Sequence, residues 1–409
     1  MNTKTLFKNI GVAFLFQIAI KLVWVFVVDR GAQNQFGEQW YGQYFSYMQL
    51  LTILVMVADG GLHNYATQYL NNNLAQNLPK IIKHLKDALC LMYLIICAII
   101  LWFVPSNYKL LYILIAILQL FNSYFLWARA LLRGHLQNKH DAIVSTIDKL
   151  LVVLFAFTAW FFFTDFINIF TFIYVQILGL GVAIIYAKTN TPVYYTNNTA
   201  VNLTWQNIAK AAVKFGLLLV IMTAIYRQDA YILNLLHPSS SIAAGRYAAA
   251  FRLLDAANML GYVAATYFFS FVVLHKHNIS YLKNNANKLA VILVGVASIG
   301  VIIFLFAGNF IGHLLYKNPN NETLLLVQFI MVVLPAIFIV HIYGTLLSAT
   351  NHIKSFLIIS IGIWGLNILS NIIGITYFGI MGCLYAAIIT QYFYAAICVY
   401  KVNSISMET

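Results

Sequence analysis

Acidic residues are scarce. Eleven Asp and Glu stand against 24 Lys and Arg in 409 residues, and the four types together make up 9% of the chain. A soluble globular domain carries about 25% charged residues, so a water-exposed surface around one core is excluded. Cysteine is scarce as well. Cys90, Cys97, Cys383 and Cys398 all lie in apolar runs, without metal-ligand spacing or a disulfide framework, and they read as small packing residues. No catalytic triad and no metal-ligand cluster is evident. A small-residue cleavage site after a short apolar core is also missing: MNTKTLFKN leads straight into a full-length apolar run, so no cleavable signal is expected.

What the chain has instead is apolar length. It is 62% hydrophobic with a mean hydropathy of +0.82. Uncharged runs of about 20 residues recur from end to end, the length that crosses a bilayer core of about 30 Å as a helix. The pattern predicts an all-α integral membrane protein with about twelve spans, at about 9–29, 43–63, 88–104, 110–128, 146–163, 167–187, 214–236, 247–274, 289–310, 323–349, 356–377 and 381–400. With a cytoplasmic N-terminus, 17 of the basic residues fall on inside segments and 4 on outside ones. This asymmetry places both termini in the cytoplasm. It also accounts for most of the net charge of +13 without nucleic acid. The longest connection is cytoplasmic and holds Pro192 and the stretch WQNIAKAAVK, which has the character of a surface amphipathic helix. It divides the chain into an N-lobe at 1–188, a linker at 189–213 and a C-lobe at 214–409. The sequons at Asn198, Asn202 and Asn278 fall on the cytoplasmic side and are chance matches.

The halves repeat weakly. Lys8 to Lys21 and Lys214 to Arg227 are each 13 residues apart, offset by 206 positions. Gly42-Gln43-Tyr44 is echoed by Gly245-Arg246-Tyr247, at an offset of 203. Two halves of six spans each begin inside, so they are parallel repeats about an axis along the membrane normal, with the site expected near the midplane. Lys21 and Arg227 each lie about 20 Å of helix beyond their entry lysine. A cation at that depth costs about 2.5–3.5 kcal/mol on insertion scales and faces protein or water by default.

Arg227 cannot pair with Asp229 on one face, because residues two apart on a helix point in different directions. A partner has to come from another helix. Arg252 and Asp255, at i,i+3, are able to pair locally. Asp59 opposes the dipole at the inner end of the second span, where a loop Lys or Arg is one partner and a proton- or ion-sensitive gate the sharper reading. Asp59, Asp229 and Asp255 are the candidate coupling or gating residues, for H+ or Na+. The surplus of cations over acids within the spans favours an anion such as a diphosphate. Arg30 and Arg246 are expected at the outer vestibule. Gln33, Trp40, Tyr41 and Tyr44 mix amides with rings as a sugar-handling surface does, and an interfacial aromatic belt explains the rings equally. His341 is isolated in the sequence, and Pro335 interrupts its span; both read as packing or hinge residues.

The segment FGEQWYGQYFSYMQLLTILVMVADGGLHNYATQYL resembles the first helical hairpin of polysaccharide and O-antigen flippases (Wzx type), members of the multidrug/oligosaccharidyl-lipid/polysaccharide (MOP) exporter superfamily. Phe36-Gly37, Tyr41-Gly42 and Asp59-Gly60-Gly61 carry the likeness. RALLRGHLQNKHDA resembles the basic loop after the fourth helix. YRQDAYILNLL followed by GRYAAAFRLLDAANML resembles the seventh-to-eighth hairpin, carried onto Arg227, Asp229, Gly245, Tyr247 and Arg252. The resemblance implies two six-helix lobes in a V, related by pseudo-twofold symmetry as in MATE transporters. It also implies alternating access that moves an undecaprenyl-diphosphate-linked oligosaccharide to the outer leaflet of the bacterial cytoplasmic membrane. Lys21, Arg227 and Arg252 would hold the diphosphate. No bond is made or broken in such transport, so neither a cofactor nor a catalytic residue is expected. Expected partners are the lipid-linked oligosaccharide, membrane lipids and polysaccharide polymerase or assembly proteins. The alternatives are a multidrug exporter of the same superfamily and, more distantly, a membrane polymerase or ligase.

Overall fold

A computed structural model of the chain describes residues 20, 22–63, 66, 78–135, 137–162, 168–191, 205–275, 278–350 and 352–405. Among these every regular element is helical. A π-helical turn, Trp24–Asp29, runs into α1 (Arg30–Asp59). There follow α2 (Leu78–Leu101), α3 (Lys109–Gly134), α4 (Asn138–Phe162), α5 (Ile169–Asn190), α6 (Trp205–Arg227) and α7 (Asp229–Leu236). The later elements are α8 (Ser240–Leu274), α9 (Ile279–Leu315), α10 (Asn321–Phe329), α11 (Leu334–Ala349), α12 (Ile353–Phe378) and α13 (Ile380–Ser404). Among the described residues eight helices are long and apolar enough to cross a membrane, or nine with the bent pair α6–α7. The chain is a multi-pass helical membrane protein.

Packing divides the chain into two units, Met1–Phe36 with Leu50–Val220, and Gly37–Gln49 with Ile221–Thr409. The early unit thus runs to Val220, and a piece of the second span joins the later residues. The physical reason lies in α6. The stretch expected as a surface helix is the first part of α6, most of it ahead of the apolar span that starts at Ala212, and its Ile208 and Ala212 pack with Leu62, Ile82 and Trp127 in the core of the first unit. There Gly61 and Gly216 let backbones touch: a Cβ on Gly61 would sit 2.6 Å from the Ala212 carbonyl oxygen, and one on Gly216 2.6 Å from the Gly60 carbonyl carbon.

The segment 30–42, expected as an outer loop, is helical. The chain reverses character at one residue, Gly37, whose φ of 76° is open to glycine and strained for others. Gly42 and Gly245, matched in the internal repeat, meet in the second unit. A Cβ on Gly42 would lie 2.5 Å from the Gly245 nitrogen. Pro335 opens α11 after a 3-10 turn at Ile330–Val333, since its ring supplies no N–H to continue the helix before it.

Candidate functional site

The seventh span is broken. Its apolar run predicts a continuous helix over 214–236; instead α6 ends at Arg227, α7 begins at Asp229, and the two are bent by 52° at Gln228. Gln228 is anchored off its own helix. Trp364 Nε1 donates to its Oε1 at 2.8 Å, and its Nε2 donates to Asn367 Oδ1. Across the bend Gln228 N–H still donates to the Ala224 carbonyl at 3.0 Å, and the Gln228 carbonyl accepts from Tyr231 and Ile232 N–H at 3.0 Å; discontinuous membrane helices of this general kind are where transporters bind ions and substrates.

Arg227 projects from the end of α6, one quarter exposed. Its Nη1 donates to Gln49 Oε1 of α1 at 2.7 Å, and its Nη2 to Asp255 Oδ1 of α8 at 3.3 Å. The Tyr226 and Phe251 rings lie 5.6 and 6.0 Å from the guanidinium carbon. Asp255 therefore pairs with Arg227, and the local Arg252–Asp255 bridge allowed by spacing is not formed. Both Nη atoms donate once and one quarter of the side chain stays exposed, so part of the guanidinium fork remains for a planar anion.

Arg252 is disposed differently. It is 5% exposed. Nη2 donates to the Tyr41 hydroxyl at 2.6 Å and Nη1 to the Tyr316 hydroxyl at 3.2 Å, and Tyr316 in turn donates to the Ala249 carbonyl at 2.7 Å. Both rings flank the guanidinium, at 5.2 and 5.8 Å. Arg252, expected at the diphosphate, is thus held between two tyrosines. Lys21 lies outside the described residues.

Asp229 is 3% exposed. It accepts from Asn371 Nδ2 at 2.8 Å and from the Tyr247 hydroxyl at 3.3 Å, and among the described residues no cation reaches it. Asn371 also donates to the Asn367 carbonyl at 3.0 Å, and Asn367 Nδ2 to Thr390 Oγ1 at 3.2 Å. The Asn371 Oδ1 is buried with no donor. A carboxylate removed from water without a counter-charge costs several kcal/mol, a cost that protonation or a bound cation relieves. Hard cations take oxygen ligands. The Asp229 carboxylate and the orphaned Asn371 oxygen, with Thr390 and Asn367 alongside, fit a proton or a monovalent cation.

No protein-family model matches the sequence, and no curated protein sequence matches it. Solved structures do. A MATE family multidrug resistance transporter of the MOP superfamily, in its inward-facing conformation, is similar over 95% of this chain and 97% of its own, at 13% identity and a TM-score of 0.66. A MOP superfamily transporter from Pyrococcus furiosus is similar over 96% and 94%, at 12% identity and 0.67. The Vibrio cholerae MATE transporter VcmN, in a mutant form, is similar over 97% and 95%, at 14% identity and 0.65. The fold is that of the MOP-superfamily transporters.

Within this MOP fold the remaining expected residues fall into two groups. Some are tied up. Arg246 bridges Glu38 at 2.9 Å and Glu322 at 2.8 Å, which makes it a joint between α1, α8 and α10. Asp59 pairs with His63 Nδ1 at 2.7 Å, one turn on, and among the described residues with no loop Lys or Arg. Gln33, Tyr41 and Tyr44, expected as sugar contacts, are buried, and Tyr41 faces Arg252. Others stay at least partly open: Trp40 is 39% exposed and Arg30 half-buried.

Two residues escape a reading of the sequence. Lys86 falls on a segment expected in the cytoplasm, yet it lies inside α2, fully buried, with Nζ donating to the Ala58 carbonyl at 2.9 Å and to Ser123 Oγ at 2.5 Å. His341 is isolated along the chain, yet its Nε2 lies 2.8 Å from Asn258 Oδ1 and its ring meets Tyr262 edge-on. The available signal is the i, i+3, i+7 spacing of Asp255, Asn258 and Tyr262.

Proposed function

We propose that this protein is a flippase that moves a polyprenyl-diphosphate-linked oligosaccharide from the inner to the outer leaflet of a bacterial cytoplasmic membrane by alternating access. The observation that carries this reading is Arg227. It is an intramembrane guanidinium at a helix break, part exposed and only singly paired with a carboxylate. Planar anions such as phosphates suit that fork. Buried Asp229 is the seat of the coupling cation, H+ or Na+, one residue beyond the break. Of the Pyrococcus furiosus transporter it is said that the reverse polarity of its binding pocket suggests a different function. In the present reading, too, the sign of the fixed charge separates an anion carrier from an exporter of organic cations.

The multidrug reading is supported by the names of several fold neighbours. One experiment separates the two. Purified protein in proteoliposomes is given a labelled polyprenyl-diphosphate oligosaccharide in one arm and a cationic dye in the other. Transfer of the lipid and indifference to the dye is the expected result; dye transport without lipid transfer overturns the proposal.

A further inference from the structure

A polar stripe continues from Arg227 along α8. Asp255, Asn258 and Tyr262 occupy i, i+3 and i+7 of an otherwise apolar spanning helix, about 10 Å of one face. His341 of α11 joins it. The Asn258 side-chain oxygen accepts from His341 Nε2–H at 2.8 Å, and the Tyr262 ring stands edge-on to the imidazole at 5.1 Å and 62°. Gly261 makes room for this: a Cβ there would come within 2.8 Å of His341 Cδ2 and 2.6 Å of the Phe338 ring. The bond to Asn258 fixes the imidazole so that Nδ1 is an acceptor, and Nδ1 bonds to none of the described residues. Tyr262 is 60% exposed and the Asp255 side chain 35%. Ionisable and polar groups at membrane depth face protein or a water-filled cavity, and the partial exposure of Asp255 and Tyr262 leaves the stripe accessible.

The chemistry of the stripe selects its ligand. An imidazole nitrogen and the second oxygen of Asp255 accept, the Tyr262 hydroxyl both donates and accepts, and its exposed ring offers an apolar face. Acceptors of this kind repel a phosphate. An organic cation gains little, because Asp255 is already matched by Arg227. What remains is a neutral, hydroxyl-rich ligand.

We propose that Asp255, Asn258, Tyr262 and His341 form a hydroxyl-binding subsite for the head-group sugar next to the diphosphate, with Arg227 at its anionic end. This rests on the flippase reading. The test uses the full-length protein in lipid nanodiscs and two probes, bare undecaprenyl diphosphate and the same lipid carrying a disaccharide. His341→Leu and Tyr262→Ala weaken binding of the glycosylated probe about tenfold and leave the bare one within about twofold. His341→Gln, which keeps a donor and an acceptor, restores most of the loss, and Arg227→Ala weakens both probes. Tyr262 is exposed, so its variant keeps the test open should His341→Leu fail to fold. Equal losses on both probes, or unchanged binding of the glycosylated one, overturn the subsite. If the unmodified protein binds neither probe, the flippase reading itself falls and the subsite with it.

Discussion

Removing Arg227 separates its structural role from its transport role. In Arg227→Ala the Asp255 carboxylate loses its counter-charge. Breaking a fully buried pair costs about 3–5 kcal/mol, whereas exposed pairs contribute about 1 kcal/mol or less. The two side chains are 25% and 35% exposed, so solvent screening lowers the expected cost to about 1–2 kcal/mol. Asp255→Asn in the same chain removes the stranded charge and recovers most of that stability. Transport does not recover. A charge-assisted bond to phosphate contributes about 1.5–3 kcal/mol, so transfer of the lipid-linked oligosaccharide falls about 10- to 150-fold in both variants. Arg227→Lys is intermediate, because a point charge cannot hold Gln49, Asp255 and a planar anion together. Thermal unfolding of the purified protein and lipid transfer in proteoliposomes report the two roles separately. Recovery of both stability and transport in the Arg227→Ala/Asp255→Asn double variant would refute the reasoning, since Arg227 would then serve only to neutralise Asp255.

Two other outcomes follow from the same geometry. A Na+ ion seated at Asp229 stabilises the folded state by about 2.7 kcal/mol at a hundred times its dissociation constant. That raises the unfolding midpoint of a chain this size by about 3 °C, and Asp229→Asn abolishes the increment; identical unfolding curves in sodium and choline salts would remove sodium from the site. Tyr41→Phe takes away the acceptor 2.6 Å from buried Arg252 but keeps the ring beside it. It costs about 1–3 kcal/mol, read as a lowered unfolding midpoint, and an unchanged midpoint would show that Arg252 does not depend on that hydroxyl.

Arg227 shows how far a linear reading reaches. Its depth follows from the count of apolar residues after Lys214. Its need for a partner on another helix follows from the helical spacing to Asp229. That the partners are Gln49 and Asp255 does not follow, because those residues lie 178 and 28 positions away. Arg252 eludes a linear reading for a related reason. Spacing offers it Asp255, whereas packing offers it two tyrosines, and a guanidinium between aromatic faces with both hydroxyls accepting is well satisfied without an anion. Lys86 is missed by little more than a turn of helix, since the apolar run starts after the lysine and the helix starts before it. The break at Gln228 has no proline to announce it. It comes from side-chain bonds to Trp364 and Asn367, which no local pattern reveals.

Composition and periodicity were sufficient for the class: a chain this apolar, with so few acids, has to bury its backbone polar groups in membrane helices. Which intramembrane charges are open to a ligand and which are locked in packing depended on contacts between residues far apart in the chain. Charge and depth set what an isolated side chain costs in lipid. The neighbours that tertiary packing brings within hydrogen-bonding distance set how that cost is met: by Asp255 for Arg227, by two tyrosines for Arg252, and by Asn371 and Tyr247 for Asp229.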